Sequence, residues 1–294
     1  MHSKLKQPWE LVDIVFIIVT LFVGLTVLLP FLSEVAKSFS QPSEVQSGRV
    51  TLFPRQFTFG NYHYFYRKHL ETLSRAFLNS LFLVVAGTFW SVLHTALMAF
   101  PLSRPRKEFP LNRPIMWLVI FSLVFVPPVI PYFLTVKTYG LMDSLWAIIL
   151  CHTVIPFQLV LVMNFFRGLP QDLFDSAIID GANDFDVFVH VALPLSKAIL
   201  AVVALFVAVL MWNIFYHAML FIRSNDLMPL QVFVRGILQG GGDILQGSEI
   251  KDPFAETESS KSAIVLLTTI PIMLLYPYLR RFFVRGSLQG ALKT

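Results

Sequence analysis

Apolar residues are gathered into six long runs, separated by polar stretches of very unequal length. The runs lie at 11–32, 76–102, 114–136, 145–166, about 195–222 and 262–279. Each has the length and apolarity of a transmembrane helix, which needs about 20 residues. The third run carries Pro127, Pro128 and Pro131, so its outer half is expected to be kinked or broken and shielded by neighbours. Between the first two runs, 34–75 is mixed and aromatic, and is read as an extracytoplasmic excursion holding a helix or two. The stretch 223–261, with Gly240, Gly241, Gly242 and the tract KDPFAETESSK, reads as a flexible outer loop.

The polar stretch 168–194 has a pattern of its own. Phe174, Ala177, Ile178, Gly181, Phe185, Phe188, Val189 and Ala192 fall at helical spacing, opposite Asp172, Asp175, Asp180, Asn183, Asp184 and Asp186. This predicts one or two short amphipathic helices, greasy side on the membrane domain and acidic side free. Gly181 permits either a backbone turn or a close approach. Asn183 followed by Asp186 predicts an N-cap, with a second helix from Asp184. Pro194 is placed to begin the fifth span, as its hinge.

Basic residues beside the runs set the orientation. Lys4 and Lys6 precede the first; Arg104, Arg106, Lys107 and Arg113 crowd the short loop after the second; Arg280, Arg281 and Arg285 follow the sixth. By the positive-inside rule, 1–10 and the tail 285–294 are cytoplasmic, and 11–284 is one multi-pass domain. The expected fold class is an all-α polytopic membrane protein with six transmembrane helices.

Composition agrees. With 55% hydrophobic and 14% charged residues, and a mean hydropathy of +0.67, the 294-residue chain lacks the polar surface of a soluble protein. The net charge of +5 marks sidedness and gives no reason to expect nucleic acid. A single cysteine, Cys151, allows no intrachain disulfide or Cys-rich metal site. No cleavage pattern follows the first run, so it is expected to be retained.

Candidate chemistry is sparse. Apart from Asp13, Lys137, Asp143 and Lys197 near their ends, the runs hold no acidic or strongly basic residue. An ion-coupled carrier needs such groups at depth, so any transport is expected to draw its energy from outside the membrane. The intramembrane polar groups are His94, His152, Gln158, Asn164, Asn213, Tyr216 and His217. They are candidates for a substrate path or for bonds between helices, with Asn213, Tyr216 and His217 favoured as a cluster. No carboxylate or thiol is placed to complete a metal site with His94 and His152, and no metal is expected. An intramembrane enzyme using these histidines is an alternative, but no paired carboxylates, Ser-Lys pair or His/Glu zinc pattern supports it. No catalytic residue is assigned.

Asp175-Ser176-Ala177, three residues, Gly181, nine residues, then Val191-Ala192-Leu193-Pro194 resembles the EAA loop of binding-protein-dependent ABC importer permeases, E-A-A-x3-G-x9-I-x-L-P. The spacing agrees throughout; Asp175-Ser176 replaces Glu-Ala and Val191 the Ile. The resemblance implies a type I ABC importer permease fold in the bacterial cytoplasmic (inner) membrane. The loop would be the coupling helix that docks on the ATPase, through Asp175, Ser176, Ala177, Gly181, Leu193 and Pro194. Phe53-Pro54, the stretch from Phe57 to Tyr62, Arg75 to Ser80 and Arg285 to Lys293 look like carbohydrate permeases related to the second maltose permease. Within these, the chain looks closest to the branch handling larger or acidic oligosaccharides, such as those from alginate or pectin; a permease for another solute shares the coupling features. Implied partners are a second homologous permease, two ATPase subunits, an extracytoplasmic solute-binding protein, an oligosaccharide substrate and membrane lipid. No cofactor is expected on this chain; ATP and Mg would sit on the ATPase. The tail, 286–294, is expected as a second ATPase contact.

Overall fold

The computed structural model describes residues 11–105, 107–239, 254 and 257–291, with 275–291 described by backbone alone. Expectations for 1–10, Arg106, Gly240 to Gly242, part of KDPFAETESSK and 292–294 lie outside the described residues. Among the described residues every regular element is a helix. The chain divides into two compact units, 1–70 with 236–269 and 71–235 with 270–294.

In the first unit, α1 (Leu11–Ser38) is long and apolar enough to cross a membrane. It is followed by the single turn α2 (Pro42–Gln46) and the start of α3 (Gly60–Ser103). Asn61 joins these pieces: its buried amide donates to the carbonyls of Ser38 at 2.8 Å and Ser40 at 3.0 Å, groups that the end of α1 leaves without helical partners. Phe39 stacks on Phe57 at 5.5 Å and meets Tyr62 at 5.1 Å. The last helix, α14 (Glu258–Ala291), begins here, and Ser262 donates to Glu34 of α1 at 2.6 Å. Helix α14 covers the predicted sixth span and carries on through much of the predicted tail.

The second unit holds the rest of α3, whose 44 residues far exceed the predicted run. Hydropathy detects only the part of a helix that lipid would cover, so the polar first turns from Gly60 are invisible to it. The third run is broken, as its prolines predict: α4 (Asn112–Val124) and α5 (Val129–Thr138) flank extended residues at Phe125 and Pro128. The fourth run, expected as one helix, is two: α6 (Leu145–Cys151) and α7 (Pro156–Arg167), bent by 49°. Proline disfavours helical backbone in the residue before it, and Ile155 is extended (φ −103°, ψ 114°).

Next come α8 (Gln171–Ile179), α9 (Asp184–Val187), a π-helical turn at Phe188–Ala192 and α10 (Leu193–Leu195). The fifth run also departs from expectation. Helix α11 (Lys197–Trp212) starts after a 78° bend, stops before Asn213, and is followed by α12 (Tyr216–Phe221). The stretch after α12 is partly ordered, with a 3-10 turn at Asn225–Leu227 and the start of α13 (Leu230–Leu238), whose Leu230, Phe233 and Val234 are buried. It is clamped: Arg75 pairs with Asp226, Asn79 donates to the Asp226 carbonyl at 2.8 Å, and Ser80 Oγ accepts from Leu230 N–H at 2.8 Å. Leu83, Ile148, Val162, Val187, Val203 and Phe221 lie at the centre of this unit's core.

Candidate functional site

Two constellations stand out in the second unit, and the first is the loop around Gly181. Helix α8 ends in a Schellman motif: Gly181 N–H donates to the Ile178 carbonyl and Ala182 N–H to the Ala177 carbonyl, both at 3.0 Å. The motif needs a left-handed residue, and Gly181 supplies it with φ +89°. Among the described residues a Cβ there would meet nothing within 4 Å, so the glycine serves a turn and not a close approach. Two residues on, Asn183 Oδ1 accepts from the N–H groups of Phe185 (2.9 Å) and Asp186 (3.0 Å). Asp186 returns the bond to Asn183 N–H at 3.2 Å. This is a capping box, with the two acidic residues of its first turn stabilised by the helix dipole.

Pro194 is not the hinge. It continues the rod begun by α9, exposed, while the 78° bend falls at Ser196. A proline inside a helix cannot donate to the preceding turn and crowds it. The π-turn directly before it, closed by Leu193 N–H on the Phe188 carbonyl, relaxes that crowding. Leu193 is half-buried against the core.

The apolar stripe divides in two. Phe174, Phe188 and Ala192 are buried, and Ala177 and Val189 are half-buried against the core. The Arg104 guanidinium lies over the Phe174 ring at 4.2 Å and over Phe100 at 4.8 Å; Phe100 meets Phe188 at 5.2 Å. The loop after α3 thereby supports α8 and α9. Ile178, Ile179 (85% exposed) and Phe185 (65% exposed) face outward instead, beside exposed Asp175 and Ser176. Asp175 accepts from Gln171 at 3.1 Å and Ser176 donates to the Asp172 carbonyl at 2.7 Å. A pocket of about 300 Å³ opens next to Phe185, lined also by Arg104, Glu108, Phe109 and Asp184.

The second constellation is aromatic. His217 on α12 has its ring centroid 4.8 Å from His152 and 5.4 Å from Tyr132, both edge-on, and 5.6 Å from Tyr216. Of the predicted path residues, the structure thus joins His152, Tyr216 and His217, and adds Tyr132, which the periodicity did not single out. Its position beside Pro131 in a broken span was the available signal. Asn213 sits at the break before α12, exposed, and donates to the Val209 carbonyl at 2.8 Å. The others have different surroundings: His94 bonds the Trp90 carbonyl at 2.8 Å, Gln158 is buried, and Asn164 is exposed. Among the described residues no group of three or more His, Cys, Asp or Glu is placed to hold a metal ion.

These features can be set beside known proteins. The family profile described as binding-protein-dependent transport system inner membrane component matches residues 91–288. Protein LplC of Bacillus subtilis is 37% identical, over 92% of this chain and 91% of its own length. The polygalacturonan/rhamnogalacturonan transport system permease protein YtcP of the same organism is 36% identical, over 93% and 95%. Among solved structures, a bacterial ABC transporter involved in the import of the acidic polysaccharide alginate superposes with a TM-score of 0.84 at 26% identity, covering 95% of this chain and all of that one. The all-helical fold is therefore that of a type I permease, and the acidic two-helix loop with its glycine turn lies inside the matched region. This chain belongs to the family of binding-protein-dependent transport system inner membrane components.

Proposed function

We propose that this chain is the permease subunit of an ATP-driven importer for acidic oligosaccharides, forming half of the translocation path. The observation that carries the reading is the outward face of α8 and α9. Two short helices are locked at a fixed angle by a Schellman turn and a capping box, and present Ile179 and Phe185 among carboxylates. An exposed apolar patch ringed by charge marks a protein contact. The carboxylates would pair with Arg or Lys of an ATPase. Closure of the ATPases on ATP would move this rod, and α11 after it, tilting the spans from inward- to outward-facing. Sidedness follows from the basic loop after α3, which puts α8 and α9 in the cytoplasm.

The substrate class rests on relatives named for polygalacturonan and alginate, both polymers of uronic acids. The test is uptake of labelled digalacturonate by cells with and without the intact gene. Uptake that needs the gene and stops when ATP is depleted is the expected result. Gene-dependent uptake that persists without ATP would overturn the energy source, and gene-dependent uptake confined to neutral sugars the substrate class.

A further inference from the structure

Three of the broken runs meet at one place. Tyr132 comes from α5, beyond the proline break of the third run; His152 follows α6, at the break of the fourth; His217 lies on α12, after the break of the fifth. Broken helices inside a bilayer are tolerated where they are buried in protein or line a watered cavity, and transporters place binding sites at such breaks. We propose that His152 and His217, with Tyr132 and Tyr216, form a carboxylate-recognition point on the translocation path, taking the uronate group of a passing acidic sugar. This rests on the substrate class proposed above.

Residues 76–102, 114–136, 145–166 and 198–222 contain no Lys or Arg, so these runs themselves offer an anion no fixed positive charge; the Arg235 guanidinium, from α13, lies over the Phe215 ring at 4.2 Å, just before α12. A buried carboxylate without donors is expensive. The side chains in these runs able to donate to it and to carry a proton are histidines: His94, His152 and His217. His94 is occupied along α3 by the Trp90 carbonyl and the Trp90 ring at 5.4 Å.

The two remaining imidazoles differ. His152 Nδ1 is 2.8 Å from the Ile148 carbonyl, which can only accept, so this nitrogen carries the proton and Nε2 is the one left for other contacts. That bond satisfies a carbonyl freed by the break before Pro156, and Thr153 satisfies another, at Ile149. His152 thus has a structural duty. His217 has none of this kind: its ring touches the rings of Tyr132, His152, Tyr216 and Phe221, and makes no hydrogen bond among the described residues. A residue kept only for packing at that spot would be served better by phenylalanine. Tyr216, half exposed, adds an aromatic face on which a sugar ring can lie. Tyr132, whose ring lies edge-on to His217, adds a hydroxyl that can donate to a carboxylate.

The experiment uses cells carrying His217→Phe or His217→Gln at the native locus, fed labelled digalacturonate or its neutral dimethyl ester. Phenylalanine keeps the ring contacts and removes the donor. It should lower digalacturonate uptake at least about tenfold, the worth of a charge-assisted hydrogen bond, while leaving ester uptake and ATPase co-purification at wild-type levels. Glutamine, which keeps an N–H, should restore most of the loss. Unchanged digalacturonate uptake in His217→Phe overturns the proposal; so does an equal fall for both probes or loss of the ATPases, which would make the role structural. A wild type that takes up the ester alone overturns the substrate class itself, a result distinct from any effect of the substitutions.

Discussion

At Gly181 the turn and the partner make different demands, and substitution can separate them. The residue holds φ +89° with open space where a side chain would project. Within this chain, therefore, the cost of a side chain is backbone strain, about 1–2 kcal/mol for most residues and less for asparagine, which visits the left-handed region more readily. Thermal unfolding of the purified chain should rank Gly181 above Gly181→Asn and both above Gly181→Val. If uptake follows the same order, the turn is what function needs; if Asn abolishes uptake with stability intact, an ATPase surface lies against this residue. Asn183→Ala removes the capping box and should cost about 1 kcal/mol. Its signature is local: amide exchange should quicken in α9 and stay unchanged in α7. Gly181 and Asn183 were both legible in the sequence because turn and cap chemistry depends on side chains two or three residues apart. The split of the apolar stripe was not. Ile178 and Phe174 share a helical face by spacing, yet Arg104, seventy residues earlier in the chain, covers Phe174 alone.

At the scale of elements, the sequence pattern located the six runs and missed how two of them bend. The break at Pro127-Pro128 was visible because two prolines leave no helical alternative. The breaks at Ile155 and at Asn213 to Phe215 were not, since the apolar count stays high through them and a mean over a run carries no axis direction. Likewise the bend assigned to Pro194 belongs to Ser196, because a π-turn lets the proline stay helical. The outer stretch after α12 was expected to be flexible, yet Asp143 helps to order it. Its Oδ1 accepts from Arg223 N–H and Ser224 N–H at 2.9 Å and from Ser224 Oγ at 2.8 Å. These bonds, led by the Ser224 and Arg223 N–H groups, hold the Asp143 carboxyl below its ordinary value of 3.8. The sign follows: a depressed folded pKa gives stability that is complete above the unfolded value and lost as pH falls through the folded one. Proteolysis after Arg223 in the purified chain should accelerate below the ordinary carboxylate range. Asp143→Ala should show the fast rate already at neutral pH, and no further rise on acidification from this site.

Taken across the second unit, the two constellations are joined by a single element. Helix α11 starts at the Ser196 bend, where the rod begun by α9 ends, and stops one short turn before His217. Its 16 residues span about 24 Å, most of a bilayer's hydrocarbon thickness. A displacement of the loop would therefore be delivered to the histidine cluster by one stiff lever, which makes the outward face of the loop the place to separate docking from folding. Ile179 is 85% exposed and Phe174 is 3% exposed, five residues apart on α8. Phe174→Ala empties a packed site under Arg104 and should destabilise the chain itself by about 3–5 kcal/mol, visible as a lowered unfolding temperature. Ile179→Asp should leave that temperature within the range of ordinary surface changes, about 0.5 kcal/mol, because nothing among the described residues covers the side chain. Its effect should appear only in the assembly: ATPase subunits should fail to co-purify, and uptake should fall with them. An Ile179→Asp chain that retains its ATPases and transports normally would show that α8 docks through some other face, and the coupling role would then have to be sought in Phe185 and the pocket beside Arg104.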